Sequence, residues 1–121
     1  MTLASSNQAI TIFEKILIGD IPCNKVFEND HAFAFHDIAP QAPVHVLIIP
    51  KKKIINIASA GHEHLETLGH VLLAAAQVAR LLGIEQSGYR LVFNNGADGG
   101  QSVDYLHCHL LAGRTLQWPP G

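Results

Sequence analysis

The sequence predicts an α+β domain: a five-stranded antiparallel meander sheet with helices against one of its faces. Three observations carry this. Short apolar runs at residues 26–28, 31–37, 44–49, 89–94 and 103–111 read as strands. The links between neighbouring runs are short, which favours antiparallel pairing. Residues 62–82 hold the longest helical pattern, a stripe of Leu65, Leu68, Leu72, Ala75, Ala79 and Leu82.

In chain order, residues 1–9 carry no pattern and are expected to be a flexible N-terminus, with one domain over residues 10–121. Ser6 or Asn7 can cap a short helix running to Ile18, with Ile12, Phe13, Ile16 and Leu17 on one apolar face. Gly19-Asp20 ends it. Val26 to Glu28 is a short strand, and Asn29-Asp30 a tight turn. Phe33 and Phe35 then alternate with Ala32 and Ala34 in the second strand. Two prolines mark residues 38–43 as a loop. Val44 to Ile49 is apolar and rich in β-branched residues, as a strand buried on most sides requires, and Pro50 stops it. Val71 and Val78 widen the helical stripe enough to cover both a sheet and a second subunit, and Gly83 closes that helix. Residues 95–100, Asn-Gly-Ala-Asp-Gly-Gly, form a glycine-rich loop before the last strand.

Composition narrows the class. The chain has 121 residues, is 48% hydrophobic and only 15% charged, so one compact core is feasible and a subunit partner would help cover it. Net charge is -2, and Lys51-Lys52-Lys53 is the one basic run, read as a solvated turn. A nucleic-acid partner is therefore not expected. No apolar stretch approaches the ~20 residues that cross a bilayer, and none resembles a signal peptide. Cys23 and Cys108 suggest a reducing compartment, with Cys108 a buried packing residue. A cytoplasmic protein is expected.

Eight histidines are present. His31, His62, His64 and His70 fall at a strand edge or on the polar side of a helix and read as surface residues. His36, His45, His107 and His109 lie on or beside apolar strands, where an unpaired polar ring is costly. Along Asp104-Tyr105-Leu106-His107-Cys108-His109-Leu110-Leu111, alternation puts Tyr105, His107 and His109 on one face and Leu106, Cys108 and Leu110 in the core. Two chemistries fit such a pattern. Imidazoles two apart can chelate zinc, with His45 or His36 as third ligand. Alternatively one imidazole is a nucleophile whose neighbours set its tautomer. Gly96, Gly99 and Gly100 allow a tight turn presenting N–H groups, with Gln101 and Ser102 as further donors; this suits phosphate oxygens and favours the second chemistry. A simple hairpin turn is the plain alternative for the loop.

Gly99-Gly100-Gln101-Ser102-Val103, His107-Cys108-His109-Leu110-Leu111, Gly113-Arg114 and Trp118-Pro119-Pro120-Gly121 closely resemble the histidine triad (HIT) superfamily, in particular its nucleotide-binding HINT branch. Thr11-Ile12-Phe13, Ile21-Pro22, Phe35 through Pro43, and His45 through Lys52 resemble the same branch, so the resemblance covers residues 10–121. It implies a HIT-like fold and a homodimer with one continuous sheet. It also implies a hydrolase that needs no cofactor or metal and cleaves the P–N bond of purine nucleoside 5′-phosphoramidates, of the adenosine 5′-monophosphoramidase type. By this resemblance His107 is the nucleophile and forms a nucleotidyl-histidine. The His109 carbonyl would orient the His107 ring, the His109 side chain would lie near the phosphate, and His45 is the separate upstream histidine. Asn94, Gly100, Gln101 and Ser102 match phosphate-contacting positions. Asp37 matches the carboxylate that binds ribose hydroxyls, and His36 and Ile38 its neighbours. Trp118 belongs to a tail that reaches toward the partner subunit's site. Tyr105 stands where the family pattern has its first histidine, and is expected to preserve binding while altering rate or leaving-group preference. The alternative is a nucleotide-binding module with little turnover because of Tyr105.

Overall fold

The computed structural model describes residues 9–121. The expected flexible N-terminus and the Ser6 or Asn7 cap lie, Ala9 aside, outside the described residues. The first helix, α1 (Ile12–Leu17), is instead capped by Thr11: its hydroxyl accepts from the Phe13 amide at 3.2 Å, and Glu14 Oε1 accepts from the Thr11 amide at 2.6 Å. Five strands follow: β1 (Lys25–Glu28), β2 (Ala32–His36), β3 (Val44–Pro50), β4 (Arg90–Val92) and β5 (Cys108–Ala112). Between β3 and β4 runs α2 (Leu65–Leu81), preceded by a separate 3₁₀ turn at His62–His64. That turn shortens the expected helix at its start.

All pairings are antiparallel, in the order β1-β2-β3-β5-β4. The first three strands form the expected meander. The last hairpin enters in reverse, so that β5 pairs with β3 and β4 takes the outer edge.

The helices do not share a face. Ala32, Ala34, Val46, Ile48, Cys108 and Leu110 pack under Val71, Ala74, Ala75, Val78 and Ala79 of α2. Their chain neighbours Phe33, Phe35, Leu47 and Ile49 point the other way and pack with Phe13 and Ile16 of α1 and with Tyr105. Strand alternation forces this, since both parities of β2 and β3 are apolar and each needs cover. The small residues 32 and 34 lie toward the long helix and the phenylalanines toward the short one. The face of α2 that meets the sheet is Val71, Ala74, Ala75, Val78 and Ala79, so the expected stripe contributes its alanines and the two valines that widen it, but not Leu65 or Leu72. Leu65, Leu72, Leu73 and Leu81 are exposed.

The last strand is shorter than expected. Residues 103–107 have no ladder partner: Ile48 opposite Cys108 is the last pair of the β3–β5 register. The glycine-rich segment holds a one-turn helix, α3 (Gly96–Gly99), closed by Gly100 at φ +81°. The basic run is not a solvated turn throughout. Lys51 pairs with Glu28 at 2.6 Å and Lys53 with Glu14 at 3.2 Å. Among the surface-assigned histidines, His31 and His70 stack at 3.6 Å with nearly parallel planes, and His64 Nδ1 accepts from the Gly61 amide at 2.9 Å.

Gly113 ends β5 at φ +94°, and a Cβ there would come 2.7 Å from Cβ of Pro43, just before β3. Both conformation and space exclude a side chain. Gly113→Ala should therefore lower unfolding stability by roughly 2 kcal/mol or more, read from urea titration of the two proteins.

Candidate active site

The α1-facing side of the sheet changes character along its length. At one end it is aromatic and aliphatic. At the other, His45 on β3 and His109 on β5 take the same-face positions beside Leu47, which pairs with His109. Asp37 follows β2 directly, and His107 precedes β5. A cleft of about 210 Å³ runs between α1 and this end of the sheet. Its inner wall is apolar, from Ile12, Phe13, Ile16 and Leu47, and its rim carries His36, Asp37 and Ile38. Ser102, His107 and His109 line it as well. His36 and Ile38 are exposed there, Ile38 almost fully.

The hydrogen bonds define which nitrogen carries each proton. The Gln41 amide donates to His45 Nδ1 at 3.0 Å, so that nitrogen must present a lone pair. Neutral His45 then carries its proton on Nε2, which lies 2.9 Å from His109 Nδ1 and 3.4 Å from Asp37 Oδ2. His109 Nδ1 accepts that proton's bond, so the His109 proton is on Nε2. That buried N–H has no partner among the described residues, and such a donor is costly unless something accepts from it. His107 Nδ1 lies 2.7 Å from the Tyr105 carbonyl oxygen, which can only accept. The His107 proton is therefore on Nδ1, and Nε2 keeps a lone pair. The orienting carbonyl belongs to Tyr105, not to His109 as the resemblance implied. Phe13 meets the His107 ring edge-on at 5.0 Å, and the His107 and His109 ring centres are 4.9 Å apart.

Burial holds all three rings below the ordinary histidine value. For His45 the Asp37 carboxylate works against that shift and for His107 so does the Tyr105 carbonyl. For His109 the His107 and His45 rings add to burial and bring it to about 4. The cluster is neutral at pH 7. Cys108, between the two histidines, is fully buried and burial pushes its thiol up to about 12, in keeping with a packing role.

Five of the sequence-expected residues take other places. Tyr105 is buried in the aromatic cluster and its hydroxyl donates to the Pro50 carbonyl, so its side chain takes no part in the cleft. Gln101 braces the glycine loop: its side chain accepts from the Gly96 amide and donates to the carbonyls of Ile55 and Val103. The Gly100 and Gln101 amides bond to Ala97 and Gly96 carbonyls, so they close the turn. Asn94, half-buried past β4, does not line the cleft. Of this segment Ser102 reaches it. Trp118 is exposed, with the Arg90 guanidinium 5.8 Å over its ring, and does not line this chain's cleft. The apolar wall supplied by α1 is not legible in the sequence. The spacing of Ile12, Phe13 and Ile16 marks a face without saying what it covers.

Asp37, His45 and His109 each offer a ligand atom, all within 4.8 Å of one another. His107, which belongs to the zinc set expected as an alternative, is not in that trio. Even the observed trio suits a cation poorly. The Gln41 amide obliges His45 to present N–H, not a lone pair, toward the centre. Two nitrogens at 2.9 Å are also closer than the about 3.3 Å of a tetrahedral ion with bonds near 2.0–2.1 Å.

The HIT domain model matches residues 19–116. This chain belongs to the HIT domain family. It is 52% identical over 111 residues to an uncharacterized HIT-like protein of Synechococcus elongatus, covering 92% of this chain and 96% of that one. Among solved structures it resembles a HIT family hydrolase from Legionella pneumophila, with TM-score 0.89 and 47% identity over 93% of this chain and 100% of the other. It also resembles a histidine triad nucleotide-binding protein from Candida albicans, with TM-score 0.78 and 31% identity over 91% and 83%. Among the described residues, no helix of this HIT chain is long and apolar enough to cross a membrane.

Rings kept neutral by burial make the fold sensitive to acid. Between pH 6.5 and about 4 the unfolded chain binds protons that the folded His109 refuses, so stability is full above 6.5 and falls as pH drops through that window. The thermal midpoint should drop from pH 7 to pH 5, and His109→Asn should drop less over the same interval.

Proposed function

We propose that this HIT-family protein is a nucleotide hydrolase of the HINT branch that cleaves the P–N bond of purine nucleoside 5′-phosphoramidates through a nucleotidyl-His107 intermediate. One observation carries the reading. His107, with an uncommitted lone pair on Nε2, and His109, with an unpartnered N–H on Nε2, line the same apolar cleft with ring centres 4.9 Å apart. The first is a nucleophile and the second an anion donor. Its similarity to a HIT family hydrolase of Legionella pneumophila and a histidine triad nucleotide-binding protein of Candida albicans agrees with this reading.

The purine would lie against Ile12, Phe13 and Ile16, and the ribose hydroxyls would bond Asp37, whose Oδ1 already accepts from the Ala39 amide at 2.8 Å. The phosphate would sit between Ser102, His107 and His109. His107 Nε2 attacks the phosphorus as the P–N bond breaks. The bonding pair stays on nitrogen, which takes a proton from solvent, and the amine leaves. Charge on the non-bridging oxygens is met by His109 Nε2–H and the Ser102 hydroxyl. Water then attacks phosphorus, releasing the nucleoside monophosphate and restoring His107 Nε2. His109 is a donor rather than a general acid here. Giving up its proton would require His45 to become an imidazolate, because the Gln41 amide already occupies the other nitrogen.

A homodimer fits the same reading. The outer edge of β4 and the exposed leucines of α2 offer surfaces a second copy could cover, and Trp118 lies beside Arg90 on that strand. The expected cytoplasmic location also belongs to this reading.

Purified protein with a fluorogenic adenosine 5′-phosphoramidate tests it. Turnover should persist with chelator. His107→Asn should lower kcat/KM by about 10³-fold or more, and Asp37→Asn should raise KM by about tenfold with a smaller change in kcat. Saturable binding of adenosine monophosphate without turnover would instead support a binding module.

A further inference from the structure

We propose that Tyr105 is the positioning residue for His107: it anchors the unpaired segment before β5 so that its own carbonyl keeps the His107 proton on Nδ1. This rests on the reading of His107 as nucleophile and says how this chain prepares it.

The segment needs an anchor because residues 103–107 have no strand partner. The peptide between Tyr105 and Leu106 is held at two points. The Leu106 amide donates to the Ile54 carbonyl at 2.6 Å, and the Tyr105 hydroxyl donates to the Pro50 carbonyl. Both acceptors belong to the stretch leaving β3. The other end of the same peptide, the Tyr105 carbonyl, faces His107 Nδ1 at 2.7 Å. The ring is fixed as well. Phe13 meets Tyr105 edge-on at 5.9 Å and His107 edge-on at 5.0 Å, so one aromatic wedge touches both. Lys53, held by Glu14, stands 5.9 Å over the Tyr105 ring. Tyr105 is 1% exposed, and burial keeps its hydroxyl protonated and able to donate. An imidazole at this position would be too short to make the Pro50 bond from the same backbone. The first position of the family pattern thus acts in this chain through its backbone, with the side chain as the tether.

Tyr105→Phe keeps the ring and removes only the tether. In the full chain, with the adenosine phosphoramidate as probe, kcat should fall about tenfold while KM changes less than about twofold. The acidic limb of the kcat/KM profile should move to lower pH, because the carbonyl bond that supports the protonated ring is loosened. Nitrogen-15 NMR of labelled histidine should show His107 as the Nδ1–H form in the wild type and a mixture of forms in the variant. Wild-type values of kcat, pH limb and tautomer in Tyr105→Phe would overturn the proposal. If that variant does not fold, the wild-type spectrum decides: an Nε2–H His107 overturns it and an Nδ1–H His107 supports it. If the wild type shows no turnover, the tautomer comparison still tests the tether, and the hydrolase reading fails by itself.

Discussion

The register of β3 against β5, with Leu47 opposite His109, is the constraint on which the site depends. It places His45 and His109 on one face and within one hydrogen bond of each other. It also sends Val46, Ile48, Cys108 and Leu110 to the opposite face under α2. A slip of one residue would exchange the two sets, burying imidazole among the alanines and valines of α2 and exposing the apolar core. The core therefore selects the register, and the register assembles the histidines.

Given that register, directionality does the rest. A backbone amide can only donate and a carbonyl can only accept, so Gln41 at one end and Tyr105 at the other dictate the tautomers of three rings. The result is one lone pair and one N–H facing a common space. Burial adds to this by disfavouring the charged forms, so the arrangement is present at neutral pH without proton uptake or release.

The sheet is built with two unlike faces. On one, small residues on β2 allow α2 to approach closely and the contact is purely structural. On the other, a short helix covers only part of the surface, and what it leaves open becomes a cleft. The same helix supplies Phe13, which packs into the aromatic cluster, lines the cleft and touches the His107 ring. Stability and chemistry meet at that residue.

Strand periodicity, the helical stripe and the His-x-His pattern were sufficient to predict five antiparallel strands, a long helix and the common side of His107 and His109, because side-chain direction follows from local backbone geometry. The resemblance carried the family. The order of β4 and β5, and the placing of the helices on opposite faces, depended on which apolar surfaces found each other across the sheet. The role of Tyr105 was likewise hidden, since the Pro50 carbonyl that takes its hydroxyl is 55 residues away. So was the real task of Gln101, whose donors look free along the chain but are used by Ile55 and Val103. Residue type and spacing determined which groups could do chemistry. Only tertiary structure decided which polar atoms were already satisfied and which were left for a ligand, because hydrogen-bond partners are assigned by contacts remote in sequence.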